Sequence, residues 1–126
     1  MRYEVTDEDT AAAVGSGDVP VLATPRLIAW LEAETVRAAA PFTAAGETTV
    51  GTAIRVRHLR ATLVGGRVEV VAEPPAAPEG RRLTFAVRAV DGSGEVVAAG
   101  EIDRAVVDRE RFLASAPDPA AGGSGR

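Results

Sequence analysis

The hydrophobic pattern changes its period once along the chain. From Thr24 to Ala40, in "TPRLIAWLEAETVRAAA", apolar residues return every three to four positions, the spacing of an amphipathic helix. Thr24 suits the N-cap of that helix, Pro25 the first helical position, and Pro41 ends it. On a helical wheel Ile28, Leu31, Thr35, Val36 and Ala39 share one stripe, while Arg26, Ala33 and Arg37 lie opposite. Glu32 falls inside the stripe, and Thr24, at the helix entry, projects to the same side as Ile28.

Beyond the helix the period becomes two. "TTVGTAIRVRHLRATLV" reads as a long strand. Strict alternation puts Val50, Thr52, Ile54, Val56 and His58 on one face. Thr49, Gly51, Ala53, Arg55 and Arg57 take the other, wetter face. "GGRVEVVAE" follows a Gly-Gly turn. "RRLTFAVRAV" directs Leu83, Phe85, Val87 and Ala89 inward. "DGSGE" makes a hairpin loop, and "VVAAGEIDRAVVD" is the last strand. Before the helix, "RYEVTDED" opens on a short β-prone stretch, and "AVGSGDVP" is a loop. "RERFLA" gives one terminal turn, and "SAPDPAAGGSGR" has the composition of a disordered tail. The division is thus one domain over residues 1–113 and a flexible tail over 114–126. A short strand, one helix and four antiparallel strands make an α+β fold. One helix cannot cover both faces of such a sheet, so the sheet curls around it. That is the hotdog arrangement, and its exposed parts call for a second subunit.

Composition narrows the chemistry. The 126 residues contain no cysteine, which excludes disulfides, thiolate metal sites and a Cys nucleophile. Lysine is absent, so no Schiff-base lysine is available, and the single histidine excludes multi-histidine metal centres. We expect no metal and no cofactor. A net charge of -4 argues against nucleic acid. No apolar run is long enough to span a membrane, and the acidic start "MRYEVTDEDT" is not a signal peptide, so a cytoplasmic location is expected.

Three residues do not fit packing alone. A carboxylate in an apolar stripe loses hydration unless it is paired or lines a cleft, which singles out Glu32. His58, the only histidine, points with the apolar face of its strand. Thr24 stands at the helix entry. Each also has a structural reading: Thr24 as a cap, Glu32 paired with an arginine, His58 as a core or rim histidine. Together they suit acyl transfer, which needs a nucleophile or activated water, a proton carrier near neutrality, and donors for the oxyanion. Gly51 can offer a backbone N–H with no Cβ to obstruct close approach.

"VLATPRLIAWLEAETVRAAAP", "GETTVGTAIRVRHLRATLVG" and "EGRRLTFAVRAVDGSGEVVAAGEIDRAVVD" resemble the fluoroacetyl-CoA thioesterase family of hotdog proteins over residues 3–112. The Thr-x7-Glu spacing and "VGTAIRVRHLRAT" are the most specific parts. The resemblance implies hydrolysis of a short acyl-CoA by a homodimer with active sites at the subunit interface; the sequence leaves dimer against tetramer open. The family's catalytic threonine, glutamate and histidine fall on Thr24, Glu32 and His58, and its carbonyl-associated glycine falls on Gly51. Glu32 is then nucleophile or water activator, His58 general acid and base, and Thr24 an assisting hydroxyl.

Two departures limit what carries over. The fluoroacetyl-specific branch has an aromatic, histidine-containing lid before its helix, whereas "TDEDTAAAVGSGDVPVLAT" has no aromatic residue. The last strand reads "GEIDRAVV" where that branch has a histidine. Fluoroacetate selectivity is therefore not carried over, and a more open pocket or a different acyl group is expected. Arg60, Arg81, Arg82 and Arg104 are candidates for contact with CoA phosphates, or simply solvated cations. A non-catalytic hotdog binder of acyl-CoA or another apolar ligand is the alternative function. A hotdog hydratase fits less well, because the residue five before His58 is Ala53 rather than an acid.

Overall fold

The computed structural model describes residues 1–120; part of the expected tail, 121–126, lies outside the described residues. Short strand β1 (Arg2–Glu4) leads through a 3-10 turn at Asp7–Asp9 into the one-turn helix α1 (Ala11–Val14). The long helix α2 (Thr24–Ala39) runs into a second 3-10 turn at Ala40–Phe42, where Pro41 prevents continuation. Strands β2 (Glu47–His58), β3 (Arg67–Glu73), β4 (Arg82–Asp91) and β5 (Val96–Asp108) follow, and the short helix α3 (Arg109–Ser115) closes the fold. The expected terminal turn is thus a helix reaching two residues past the expected domain end.

The sheet is antiparallel throughout, in the order β1-β3-β4-β5-β2. This is the curled α+β sheet around a long helix that the pattern predicts, a hotdog fold. Leu83, Phe85, Val87 and Ala89 are buried as expected, together with Val68 and Val70 of β3 and Ile102 of β5. They pack against Leu27, Leu31, Thr35 and Ala39 of α2. Each such aliphatic or aromatic side chain contributes about 1.5–3 kcal/mol by burial. Tyr3 stacks on Trp30 with ring centroids 4.2 Å apart, which ties β1 to the helix.

Three local expectations are corrected. First, Thr24 is not the N-cap. Ala23 holds that position without a side-chain hydrogen bond, Thr24 is the first helical residue, and its hydroxyl is engaged elsewhere. Second, the buried stripe is centred on Leu27, Leu31 and Thr35. Val36 is exposed, Ile28 is half-buried, and Glu32 therefore lies on the margin of the stripe. Third, β2 ends at His58 rather than running on to Val64, and it does not alternate strictly. Gly51 pairs with Arg104 but Ala53 pairs with Asp103, so Thr52 is an extra residue, a β-bulge. The bulge reverses the parity before it. Gly51 consequently faces inward with Ile54, Val56 and His58, instead of outward with Arg55 and Arg57.

On the outer face Arg55 grips Asp103 with two bonds of 3.0 and 2.9 Å and also reaches Glu101. This clamp joins β2 to β5 and holds the Asp103 carboxyl below its ordinary range. On the same strand pair Gly100 sits where a Cβ would lie 2.0 Å from the Arg55 carbonyl oxygen, backbone against backbone. Nothing there can swing away. Gly100→Ala should therefore destabilise the protein by about 2–3 kcal/mol or more, measured as a lowered urea midpoint with an unchanged slope.

Candidate active site

Thr24 and His58 meet at one end of the molecule. The first turn of α2 and the last residue of β2 bring the Thr24 hydroxyl to 2.8 Å from His58 Nδ1. The pair has two tautomers: the hydroxyl donates to a bare Nδ1 while Nε2 carries the proton, or Nδ1–H donates to Oγ1 and Nε2 is bare. In both, Nε2 is buried and has no hydrogen-bond partner among the described residues. Burial is the main influence on the imidazole and holds it below its ordinary value of 6.5; the Arg60 backbone works in the opposite direction. The neutral ring is favoured, as a base needs. The sign for stability follows. The unfolded chain takes up the proton first, so falling pH weakens the fold from about 6.5 downward.

Glu32 is somewhere else. It stands two turns along α2, about 12 Å from Thr24 on the helix axis. Its carboxylate lies over Gly51, seven residues and about 23 Å of strand away from His58. A Cβ on Gly51 would sit 2.7 Å from Glu32 Oε2, so the glycine makes room for the carboxylate. Within one protomer, then, the structure joins Thr24 to His58 and Glu32 to Gly51, as two separate halves.

Arg104 holds the second half together. Its side chain is only 8% exposed, and Nη1 lies 3.7 Å from Glu32 Oε2. Its Nε donates to Thr49 Oγ1 at 2.9 Å, and its Nη2 donates to the Thr49 carbonyl at 3.1 Å. Burial draws the guanidinium below its ordinary value, and the Glu32 charge works against that. Arg104 is therefore neither solvated nor placed for a CoA phosphate. The sequence held the signal. Arg104 shares parity with Ile102 and Val106, which makes it a charge on the core face, as Glu32 is at the edge of the helix stripe. The other candidate arginines are exposed and paired: Arg60 with Glu95, Arg81 with Glu47, and Arg82 with Glu79. Among the described residues no group of three or more acidic or histidine side chains is placed to hold a metal, and no helix is long and apolar enough to cross a membrane.

A family model described as "Fluoroacetyl-CoA-specific thioesterase" matches residues 5–110. The chain belongs to this family. Over 94 residues it is 44% identical to the fluoroacetyl-CoA thioesterase of Streptantibioticus cattleyicolor, an alignment covering 75% of this chain and 66% of that protein. The chain thus spans slightly less than two thirds of that relative's length. The crystal structure of a mutant fluoroacetyl-CoA-specific thioesterase in complex with fluoroacetate and CoA superposes with a TM-score of 0.80 at 37% identity, covering 90% of this chain and 92% of that one. A Thermus thermophilus member of the thioesterase superfamily gives a TM-score of 0.82 at 30% identity, covering 90% and 83%. A hot-dog-like protein from Thermanaerovibrio acidaminovorans, at 21% identity and a TM-score of 0.77 over 100% and 90% of the two chains, agrees in fold.

For a member of the fluoroacetyl-CoA-specific thioesterase family, the contact between Gly51 and Glu32 is open to a direct test. In Gly51→Ala the new methyl meets the far end of a flexible side chain, so the fold should lose less than about 1 kcal/mol. The carboxylate must swing off Arg104, and any thioester hydrolysis that depends on Glu32 should fall by about tenfold or more. Wild-type rates in a variant of wild-type thermal stability would detach Gly51 and Glu32 from the chemistry.

Proposed function

We propose that this chain is a thioester hydrolase acting on acyl-CoA, with each active site built from two protomers. The observation that carries the reading is the buried, unpartnered Nε2 of His58, on a ring already oriented by Thr24. A second copy can supply what it lacks. The outer edge of β2 is unpaired in the sheet, and a strand of 12 residues with an open edge invites pairing. Ile54 on that strand and Val36 on the adjoining helix are exposed apolar side chains.

Antiparallel pairing of β2 with its own copy, about a two-fold at Arg55, sets Ile54 beside the partner's Val56 on the inner face. Because Thr52 is bulged out of register, Gly51 then falls beside the partner's His58. Glu32, held over Gly51, reaches the unpartnered imidazole across the interface. The two-fold makes two such sites.

In each site the Glu32 carboxylate attacks the acyl carbonyl or removes a proton from the attacking water. His58 from the other chain takes up the proton that the water releases, directly or from the Glu32 carboxyl, and delivers it to the departing thiolate; the Thr24 hydroxyl fixes the imidazole, and the Gly51 backbone N–H assists the carbonyl oxygen. Water and thioester become acid and free thiol. The second reading, a non-catalytic binder of acyl-CoA or another small apolar ligand, draws on the separation of Glu32 from His58 within one protomer.

Complementation separates the two readings. Glu32→Gln and His58→Asn should each fold and each lose about a hundredfold or more in kcat. Mixed and refolded together, they should regain about a quarter of wild-type turnover, because half the random dimers are hybrid and one of the two sites in each hybrid is intact. No recovery would exclude the shared site. Wild-type turnover in both single variants, or an inert wild type whose melting temperature rises with acyl-CoA, would favour the binder. In the dimer, Glu32→Gln should also lower the His58 titration midpoint followed by NMR, since the neutral amide removes a carboxylate that favours the imidazolium.

A further inference from the structure

A cavity of about 370 Å³ opens directly beside the Thr24–His58 pair, and both residues line it. Its walls come from the segment before α2 and the residues after β2. Ala11, Val19 and Leu22 form one side, and Leu59 stands on the other. Val19 and Leu59 are each about half exposed, so their apolar surface is uncovered in the protomer. A site whose reacting ester lies against His58 must send one arm of its substrate along these walls.

The charge and polarity of the lining favour one arm. Asp18 stands exposed on the rim and has no ion-pair partner among the described residues, while Arg60 on the same rim is shared with Glu95. A lone carboxylate repels the phosphate end of CoA, and the two amides of the uncharged pantetheine arm find no partner on the apolar side chains of Ala11, Val19, Leu22 and Leu59, whereas a hydrocarbon chain needs none. The volume sets an upper bound on the length. The cavity equals about a dozen water volumes, of which a two-carbon acyl group displaces only two or three. A short acyl group would leave most of the apolar wall wet.

On the thioesterase reading above, we infer that this cavity is the acyl pocket and that it takes an apolar acyl chain of about six to eight carbons, not a two-carbon unit. The specificity arises from side chains that are absent. The loop between α1 and α2 carries Ser16, Gly17 and Asp18 against the cavity, and none of them fills it.

The test uses the full chain with acetyl-, butyryl-, hexanoyl- and octanoyl-CoA, reading free thiol. Each methylene that enters the cavity should raise kcat/KM by about threefold to fourfold, so hexanoyl-CoA, with four more of them, should exceed acetyl-CoA by about eightyfold or more. Val19→Phe and Ser16→Phe place an aromatic ring in the space. Each should reduce the hexanoyl-to-acetyl ratio by about tenfold. Acetyl-CoA hydrolysed as well as hexanoyl-CoA would overturn the inference while leaving the thioesterase reading intact. So would filled variants that slow every ester equally, because the cavity would then hold the pantetheine arm. Absence of turnover with every ester would overturn the thioesterase reading and the inference with it.

Discussion

One extra residue in one strand decides which side chains meet on the inner face of β2. Were β2 regular, Gly51 would lie on the outer face with Arg55, and Glu32 would have no gap to occupy. The bulge at Thr52 brings Gly51 and His58 to the same face while keeping Arg55 outside, bonded to Asp103. Both faces of β2 are thereby used at once. The outer face closes the strand onto β5 through a bidentate ion pair, and the inner face presents a gap and an imidazole to the helix side.

The gap is filled by a carboxylate that burial alone would not favour. Arg104 resolves this by lying beneath it, with its remaining donors on the Thr49 hydroxyl and carbonyl. A buried guanidinium is itself costly unless every N–H is directed to an acceptor. The two threonines on either side, Thr35 and Thr49, therefore belong to the support of Glu32 as much as to the packing of α2 and β2. At the other end Thr24 gives up its local capping role, and its hydroxyl is spent on His58 instead of on the helix backbone.

Much of this was legible in the sequence, and the limits are physical. The helix over 24–39 and the strands β4 and β5 follow from period and turn chemistry, which are local properties. The pairing of Thr24 with His58 was within reach, because a helix start and an apolar strand face must approach in a curled sheet. The bulge was not, since register belongs to two strands and the single-strand pattern of β2 is equally good without it. Its error propagated to the placement of Gly51. The location of Glu32 is half legible: the wheel marks it as misplaced, but its partner Arg104 lies 72 positions further on, where the sequence offers it as a phosphate contact or a solvated cation.

The support of Glu32 by a guanidinium has a consequence for how the molecule senses its surroundings. An arginine keeps its proton at any pH a cell reaches, even when burial lowers its affinity for it. The scaffold under the carboxylate is therefore indifferent to acidity. The chain has one histidine, and it stands at the far end of β2 from Gly51, bonded to Thr24. The imidazole bonded to Thr24 is thus the side chain whose charge changes near neutrality, whereas the cation beside Glu32 keeps its charge.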